Sequence, residues 1–288
     1  MSRKAVKIKE VLEKLHIKYN RRDCIKPDPL QFVYQYSNRA DREIVAFLAA
    51  QLAYGRVQQI EKGLTILFDR MGSSPFEFAR NFDMQKRQKL KNFKHRFTTG
   101  DDISDLLELL KEVLSRYGSI QKFFVQGYNS SDKSVMPALS KFCNSLLHLH
   151  AERNNGHITK GLGYLLPRPE AGSACKRLNL FLRWMIRNDD VDVGLWNSID
   201  KAKLIVPVDV HMGRLCGILG FHDRKAICLS TAVDITEGFA EITPADPVKY
   251  DFALSRLGIL GNCTGRYCPR CVDCELFEYC SREENEAR

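Results

Sequence analysis

Apolar residues recur at helical spacing along most of the chain. Between residues 43 and 53, Ile44, Phe47, Leu48 and Leu52 fall on one face of a helix. Apolar residues in four later segments show comparable helical spacing: 103–114, 137–146, 178–186 and 246–257. Runs of β-branched residues, which are typical of strands, are nearly absent. The pattern predicts an all-α protein with at least nine helices.

Residues that start or stop helices divide these segments. Gly118 is a natural helix end, Pro137 lies just inside a helix start, and Asp246-Pro247 opens the last helix. Polar connectors occur at 128–132 and 153–157, and neither is long enough to separate two domains as a linker. We therefore expect the helices to pack into one compact body.

Composition and charge narrow the class of protein. No apolar run approaches the roughly 20 residues that a membrane span needs, and the amphipathic N-terminal segment does not resemble a secretory signal. We therefore expect an intracellular protein without a membrane partner. The chain carries a formal net charge of +9 at pH 7. Excess positive charge favours a polyanionic partner, and nucleic acid is the first candidate.

Cysteine is concentrated towards the C-terminal end. Five of the ten cysteines fall in the run Cys263-x7-Cys271-x2-Cys274-x5-Cys280, with Cys268 as a fifth thiol inside it. Four thiolates from one short segment can hold an iron–sulfur cluster. The Cys268-x2-Cys271 pair could equally supply half of a Cys₄ zinc site. The spacing predicts a metal site and leaves both metals open.

Two predicted helix starts carry candidate chemistry. Asp209 follows the apolar residues 205–208 and precedes a helix, which is an N-cap position. Residues 172–174 are small, so their backbone N–H groups can approach an anion closely. Lys176 follows in the first turn, where the helix dipole favours the neutral amine that a nucleophilic lysine needs. Taken alone, Asp209 is simply a cap and Lys176 a surface lysine in a basic stretch.

These elements, taken in order, resemble the endonuclease III branch of the helix-hairpin-helix DNA glycosylases. Residues 172–176 resemble the hairpin L-P-G-x-G-x-K, and residues 208–214 resemble V-D-T-H-x-x-R. The cysteines are similar to the family's C-x6-C-x2-C-x5-C, with one extra residue in the first gap. Residues 47–51 are similar to L-L-S-A-Q. The sequences of residues 53–56 and 176–185 are also similar to those of a bacterial family within this superfamily.

The resemblance implies a DNA repair enzyme, a glycosylase with AP-lyase activity that flips oxidised bases out of double-stranded DNA. Lys176 matches the Schiff-base lysine and Asp209 the catalytic aspartate. Gln51 matches the glutamine that fills the space left by the extruded base. Further DNA contacts are expected from the hairpin-like segment and the two helix starts, namely Gly172, Ser173, Ala174, Arg177 and His211.

The resemblance also implies a cofactor and an architecture. A [4Fe–4S] cluster would be held by Cys263, Cys271, Cys274 and Cys280, with Cys268 as a substitute ligand. Residues 42–199 would form a six-helix body that carries the lysine segment. Residues 1–41 and 200–288 would form a second helical domain with the cluster on a C-terminal loop, and the catalytic cleft would lie between the two domains. We expect a cytoplasmic, nucleoid-associated monomer.

Departures from the endonuclease III pattern bear on the substrate. Ala174 replaces the second glycine of the hairpin, and Asp209 follows Lys176 by 33 positions, further than in that pattern. The spacing is closer to an archaeal 8-oxoguanine glycosylase branch, which favours 8-oxoguanine and leaves oxidised pyrimidines open. Two alternatives remain: a non-catalytic iron–sulfur DNA-binding protein of the same fold, and a zinc-stabilised RNA-binding protein.

Overall fold

The chain is mostly helical, which confirms the class predicted from the periodicity. The computed structural model describes residues 3–260, 263 and 267–280. Its α-helices are α1 (Arg3–Tyr19), α2 (Arg39–Gln51), α3 (Val57–Met71), α4 (Pro75–Arg80), α5 (Met84–Leu90), α6 (Gly100–Tyr117), α7 (Ile120–Phe124), α8 (Met136–Arg153), α9 (Lys160–Leu165), α10 (Lys176–Ile186), α11 (Val210–Leu219), α12 (Leu229–Ile242) and α13 (Asp251–Leu260).

Short elements join these helices. An antiparallel hairpin of β1 (Lys94–His95) and β2 (Thr98–Thr99) lies between α5 and α6. Short 3₁₀ helices cover Arg22–Cys24, Pro29–Gln35, Pro169–Ala171, Lys201–Lys203, Pro269–Asp273 and Phe277–Tyr279. None of the helices in the part of the chain described here is long and apolar enough to cross a membrane.

Local signals explain most helix ends. Gly118 ends α6 in the left-handed conformation, with a φ of 79°, and Pro137 lies in the first turn of α8, as predicted. The expected helix start at Asp246-Pro247 is wrong, because α13 begins at Asp251. The Asp246 carboxylate accepts hydrogen bonds from Nε (3.0 Å) and Nη2 (3.1 Å) of Arg187, so it serves an ion pair instead of capping a helix.

One group of helices packs around α2. This helix lies against α10 and the 3₁₀ helix Pro29–Gln35. The ring of Phe181 on α10 meets the rings of Phe47 and Trp196 edge-on, each with a centroid distance of 5.2 Å. Glu43 on α2 accepts hydrogen bonds from Trp196 Nε1 (2.8 Å) and from the first amide of α7 (2.9 Å). This one buried carboxylate therefore joins α2 to two distant segments.

A second group of helices joins the two ends of the described chain. Helix α1 packs on α12 and α13, and α11 packs on the same two helices. Ile8, Leu12 and Leu15 form the buried face of α1, which is the amphipathic helix expected at the N-terminus. The first turn of α10, in the first group, lies beside the start of α11, in the second.

A buried ionic network holds α10 in place. Arg183 and Arg187, which belong to the basic stretch of sequence that starts at Lys176, are both buried. Each pairs with Asp192, which is buried as well. Arg183 also pairs with Asp251 at the start of α13, so the network links the two helix groups. Arginine is tolerated here because each guanidinium meets more than one carboxylate.

Replacing Gly100 with alanine is expected to lower the free energy of unfolding by about 1–3 kcal/mol, the usual range for overpacking. A Cβ at this position would lie 1.9 Å from the carbonyl oxygen of Leu90, so the backbone would have to shift. Urea denaturation measures the change. Gly217→Ala is the matched control, since its Cβ would be 3.5 Å from His222, and a gain of about 0.5–1 kcal/mol is expected there. Equal effects at the two positions would contradict the prediction.

Candidate active site at two helix starts

Lys176 and Asp209 form an ion pair at the meeting of α10 and α11. Lys176 is the first residue of α10, and its Nζ lies 3.3 Å from Oδ2 of Asp209. Asp209 caps α11, as its sequence position predicted: Oδ1 accepts hydrogen bonds from the backbone amides of His211 (3.0 Å) and Met212 (2.9 Å). One carboxylate oxygen thus fixes the helix start while the other faces the lysine.

Asp209 is held in its ionised form. Burial alone would raise the pKa of this carboxyl, but the neighbouring Lys176 ammonium and the amide of Met212 more than offset that effect. The pKa of Asp209 is therefore lowered, so the group is a carboxylate throughout the neutral range. The side chains of Lys176 and Asp209 are 31% and 40% exposed, which leaves both accessible to a ligand.

The small residues before α10 leave backbone amides without acceptors. The Gly172 amide donates to Pro169 (2.8 Å), and the Cys175 amide donates to the Ser173 hydroxyl (3.1 Å). Among residues 3–260, 263 and 267–280, the amides of Ser173 and Ala174 have no acceptor. Free amides of this kind suit an anion such as a phosphate.

Ala174, which stands where the similar hairpin motif has a glycine, costs no backbone strain. The residues with left-handed φ here are Gly172, at 82°, and Cys175, at 46°, whereas Ala174 does not have a positive φ. The uncommon backbone conformation in this turn therefore belongs to Cys175, a non-glycine residue that the sequence did not mark. Its thiol is buried, and burial raises its pKa.

A cavity of about 730 Å³ lies beside the ion pair. It is lined by the first residues of three helices, Lys176 of α10, Val210 of α11 and Asp251 of α13. Helix starts carry partial positive charge, which favours a negatively charged ligand at the cavity mouth. The volume falls in the range of roughly 300–1,000 Å³ that is typical of small-molecule pockets. A nucleobase with its sugar would fit.

Two tyrosines form part of the cavity wall, and a further aromatic and a cationic side chain pack against them. Tyr54 and Tyr164 line it, and Phe97 at the β-hairpin tip stacks on Tyr54 with a centroid distance of 5.0 Å. Phe97 is 56% exposed, and the guanidinium of its neighbour Arg96 lies over the rings of Tyr54 and Phe97. No motif or periodicity in the sequence predicts this group. The only signal was an aromatic residue inside the basic turn at 94–97.

The predicted DNA-contacting residues differ in their exposure to solvent. Gly172 and His211 are exposed and Ser173 is half-buried, whereas Ala174 and Arg177 are buried. The Arg177 guanidinium lies 4.1 Å from the ring centroid of Tyr164 and donates a 2.8 Å hydrogen bond to the backbone carbonyl of Gln51. Burial lowers the pKa of Arg177.

Gln51 is fully buried at the end of α2. Both its amide atoms, Nε2 and Oε1, lack a hydrogen-bond partner among the residues that the structure describes. Buried polar groups of this kind cost free energy. A role in filling a DNA duplex, as expected from the sequence, would require the side chain to leave this position.

Replacing Gln51 with methionine is therefore expected to raise the free energy of unfolding by about 1 kcal/mol or more, because the unpaired amide disappears at similar volume. Thermal or urea unfolding measures the gain. Gln58→Met on the exposed face of α3 is the control, with no change expected. A loss of stability in Gln51→Met would show that the amide is hydrogen-bonded in the folded protein.

The family described as "Protein of unknown function (DUF2400)" matches residues 28–260. This range is well over half of the chain and contains both members of the ion pair. The chain belongs to the DUF2400 family. No curated protein and no solved structure matches it. The match ends before Cys263, so the cysteine run lies outside the matched range.

The DUF2400 protein brings only part of the cysteine run together. The sulfurs of Cys268 and Cys271 lie 3.8 Å apart, and Cys263, Cys274 and Cys280 are half-buried. Within the described part of the chain, no group of three or more His, Cys, Asp or Glu side chains could hold a metal ion. All five thiols are free, and soft thiol donors suit zinc as well as an iron–sulfur cluster.

The scattered cysteines are buried or half-buried, as expected for small apolar side chains. Cys143, Cys175 and Cys216 are buried, whereas Cys24 and Cys228 are half-buried. Burial raises the pKa of the Cys143 and Cys216 thiols, which disfavours the reactive thiolate.

Proposed function

We propose that this DUF2400 protein is a DNA glycosylase with AP-lyase activity, of the helix-hairpin-helix superfamily, that removes oxidised bases from double-stranded DNA. The observation that carries the proposal is the Lys176–Asp209 pair at the mouth of a nucleobase-sized cavity. The 3.3 Å separation places the lysine nitrogen beside a carboxylate that can accept its proton when the nucleophile forms.

The chemistry follows from the two side chains. The Asp209 carboxylate accepts a proton from the Lys176 ammonium, and the freed amine attacks C1′ of the damaged nucleoside. The bond from C1′ to the base breaks, and its electron pair leaves with the base, which takes the proton from Asp209. The C1′–O4′ bond then breaks, one proton passes from Nζ to O4′, and the opened sugar is held as a protonated imine between Nζ and C1′. Loss of a C2′ proton expels the 3′ phosphate and cuts the strand.

The surroundings of the pair suit extruded DNA. The free amides of Ser173 and Ala174, together with the starts of α10 and α11, offer donors to backbone phosphates. A base must leave the helical stack before its glycosidic bond can be reached, and the cavity beside Lys176 has room for it. The formal net charge of +9 supports binding that does not depend on sequence.

The cofactor proposal rests on the donor set. Cys263, Cys271, Cys274 and Cys280 would hold a [4Fe–4S] cluster, which would organise the C-terminal segment without taking part in bond cleavage. The 3.8 Å sulfur separation of Cys268 and Cys271 also equals the spacing of two thiolates on one tetrahedral zinc ion, about 3.8 Å for Zn–S bonds of about 2.3 Å. This observation keeps zinc as the second candidate.

Metal analysis of anaerobically purified protein distinguishes the iron–sulfur cluster from zinc. A brown protein with broad visible absorbance and matching iron and sulfide supports the cluster. A colourless protein with stoichiometric zinc identifies zinc and favours the alternative of a zinc-stabilised RNA-binding protein, which RNA-binding assays then test.

Borohydride trapping of the wild-type protein tests the function. Duplexes carry 8-oxoguanine, thymine glycol or a preformed abasic site, and an undamaged duplex is the control. A covalent adduct on a damaged duplex is expected, since borohydride reduces the imine to a stable amine. Protein that binds every duplex and yields no adduct would instead be a non-catalytic DNA-binding protein or a glycosylase without lyase activity, which base-release assays distinguish.

A further inference from the structure

The cavity is also lined by two deeply buried arginines, Arg183 and Arg256, which are only 2% and 3% exposed. Each is held by a carboxylate that lines the same cavity. Nη1 of Arg183 donates to Asp251, and Nη2 of Arg256 donates to Oδ2 of Asp28 at 3.0 Å. These four residues, together called the arginine floor, are less exposed than the Lys176–Asp209 pair.

Several hydrogen-bond donors of the arginine floor are unpaired. Nη2 of Arg183, and Nε and Nη1 of Arg256, are buried and have no hydrogen-bond partner within residues 3–260, 263 and 267–280. A buried donor without an acceptor costs about 1–3 kcal/mol, and native proteins leave few of them. These nitrogens have almost no accessible surface themselves, but they belong to two residues that line one cavity, so an occupant with acceptor atoms would satisfy them once the guanidinium groups turn towards it.

The charge balance indicates that this occupant is neutral. Besides Asp251, Arg183 meets the buried carboxylate of Asp192 at 3.2 Å. The pKa of Asp251 is raised to about 6, chiefly by burial and to a smaller extent by the carboxylates of Asp209 and Asp192, with Arg183 opposing them. A phosphate in this position would add negative charge where carboxylates already crowd. A carbonyl oxygen satisfies the free donors without adding charge.

We infer that the arginine floor recognises a neutral nucleobase by an edge with a carbonyl oxygen beside a ring N–H. Arg183 and Arg256 donate to the oxygen, and Asp28 or Asp251 accepts from the N–H. The ring of Phe252, which lies 4.9 Å from the Arg256 guanidinium, supplies an apolar wall. The inference rests on the proposed glycosylase function and makes both arginines specificity-determining residues.

Wild-type protein provides the first test, which needs no variant. Single-turnover base release is compared for 8-oxoguanine and thymine glycol, which have such an edge, and for 1,N6-ethenoadenine, which has neither a carbonyl nor a ring N–H. Release of ethenoadenine is expected to be slower by about tenfold or more, because it leaves the buried donors unpaired. Equal release of all three bases would overturn the inference.

Arg256→Lys and Arg183→Lys provide the second test. Each keeps a positive charge for the neighbouring carboxylate and removes free donors. The readout is the rate of 8-oxoguanine release divided by the rate of cleavage at a preformed abasic site, which contains no base to recognise. This ratio is expected to fall roughly 10- to 100-fold in each variant. Arg80→Lys, at an exposed ion pair on α4, is the matched control and is expected to keep the wild-type ratio.

The readouts separate the two proposals. Wild-type protein that acts on neither the lesions nor the abasic site refutes the glycosylase function and the inference with it. Active wild-type protein whose ratio is unchanged in a folded variant refutes the inference alone. Circular dichroism melting identifies a variant that fails to fold, in which case the other arginine variant and the wild-type comparison decide.

Discussion

Replacing Lys176 with glutamine is expected to abolish the covalent adduct that borohydride traps between the protein and DNA. Glutamine has no nucleophilic amine, so neither the attack on C1′ nor the imine can form. Strand cleavage at a preformed abasic site is expected to fall by at least about a thousandfold, the scale seen when a nucleophile is removed. Gel separation of trapped adducts and cleaved strands measures both effects.

Stability and a matched lysine serve as controls for Lys176→Gln. The Lys176–Asp209 pair is partly exposed, so losing it is expected to change the free energy of unfolding by less than about 1 kcal/mol. Lys160 is likewise the first residue of a helix, α9, and it is exposed. Lys160→Gln is expected to trap like the wild type. An adduct that persists in Lys176→Gln would remove this lysine from the mechanism.

Replacing Asp209 with asparagine is expected to slow base release by about 10²–10⁴-fold while leaving the fold intact. Asparagine is as good an N-cap as aspartate, so its side-chain oxygen can still accept the amides of His211 and Met212. It cannot carry the negative charge that accepts a proton from Lys176 or stabilises a cationic sugar. Single-turnover release of 8-oxoguanine measures the effect.

The comparison with Asp209→Ala separates the two roles of this carboxylate. Alanine removes both the cap and the charge, so it is expected to lose about 1 kcal/mol of stability that Asp209→Asn retains. Both variants are expected to be equally inactive if the charge alone matters for catalysis. An Asp209→Asn protein that releases base at the wild-type rate would reduce this residue to a helix cap.

The sequence was most informative where chemistry depends on a few residues in a short segment. Lys176 and Asp209 were found from the sequence motifs around them and from their positions at predicted helix starts. Their contact was not predictable from periodicity, because it depends on how α10 and α11 pack although the two residues are 33 positions apart in the sequence. The cap at Asp209 was predictable, since capping is a local interaction.

Buried charge accounts for much of what the sequence did not predict. Arg183 and Arg187 belong to a residue type that is usually exposed. Their partner Asp192 follows α10 directly, whereas Asp246 and Asp251 come from a distant part of the chain. Only the tertiary structure brings those carboxylates to α10. The same ion pairing displaced the expected start of α13, because Asp246 bonds to an arginine instead of a helix end.

The double use of Asp209 also has an evolutionary consequence. A codon for aspartate becomes one for asparagine by a single nucleotide change, and that change keeps the cap of α11. A lineage that abandons catalysis can therefore drift to asparagine at this position with its architecture unharmed. Under the proposed mechanism, asparagine at position 209 in a relative would mark a descendant that has kept the scaffold and lost the reaction.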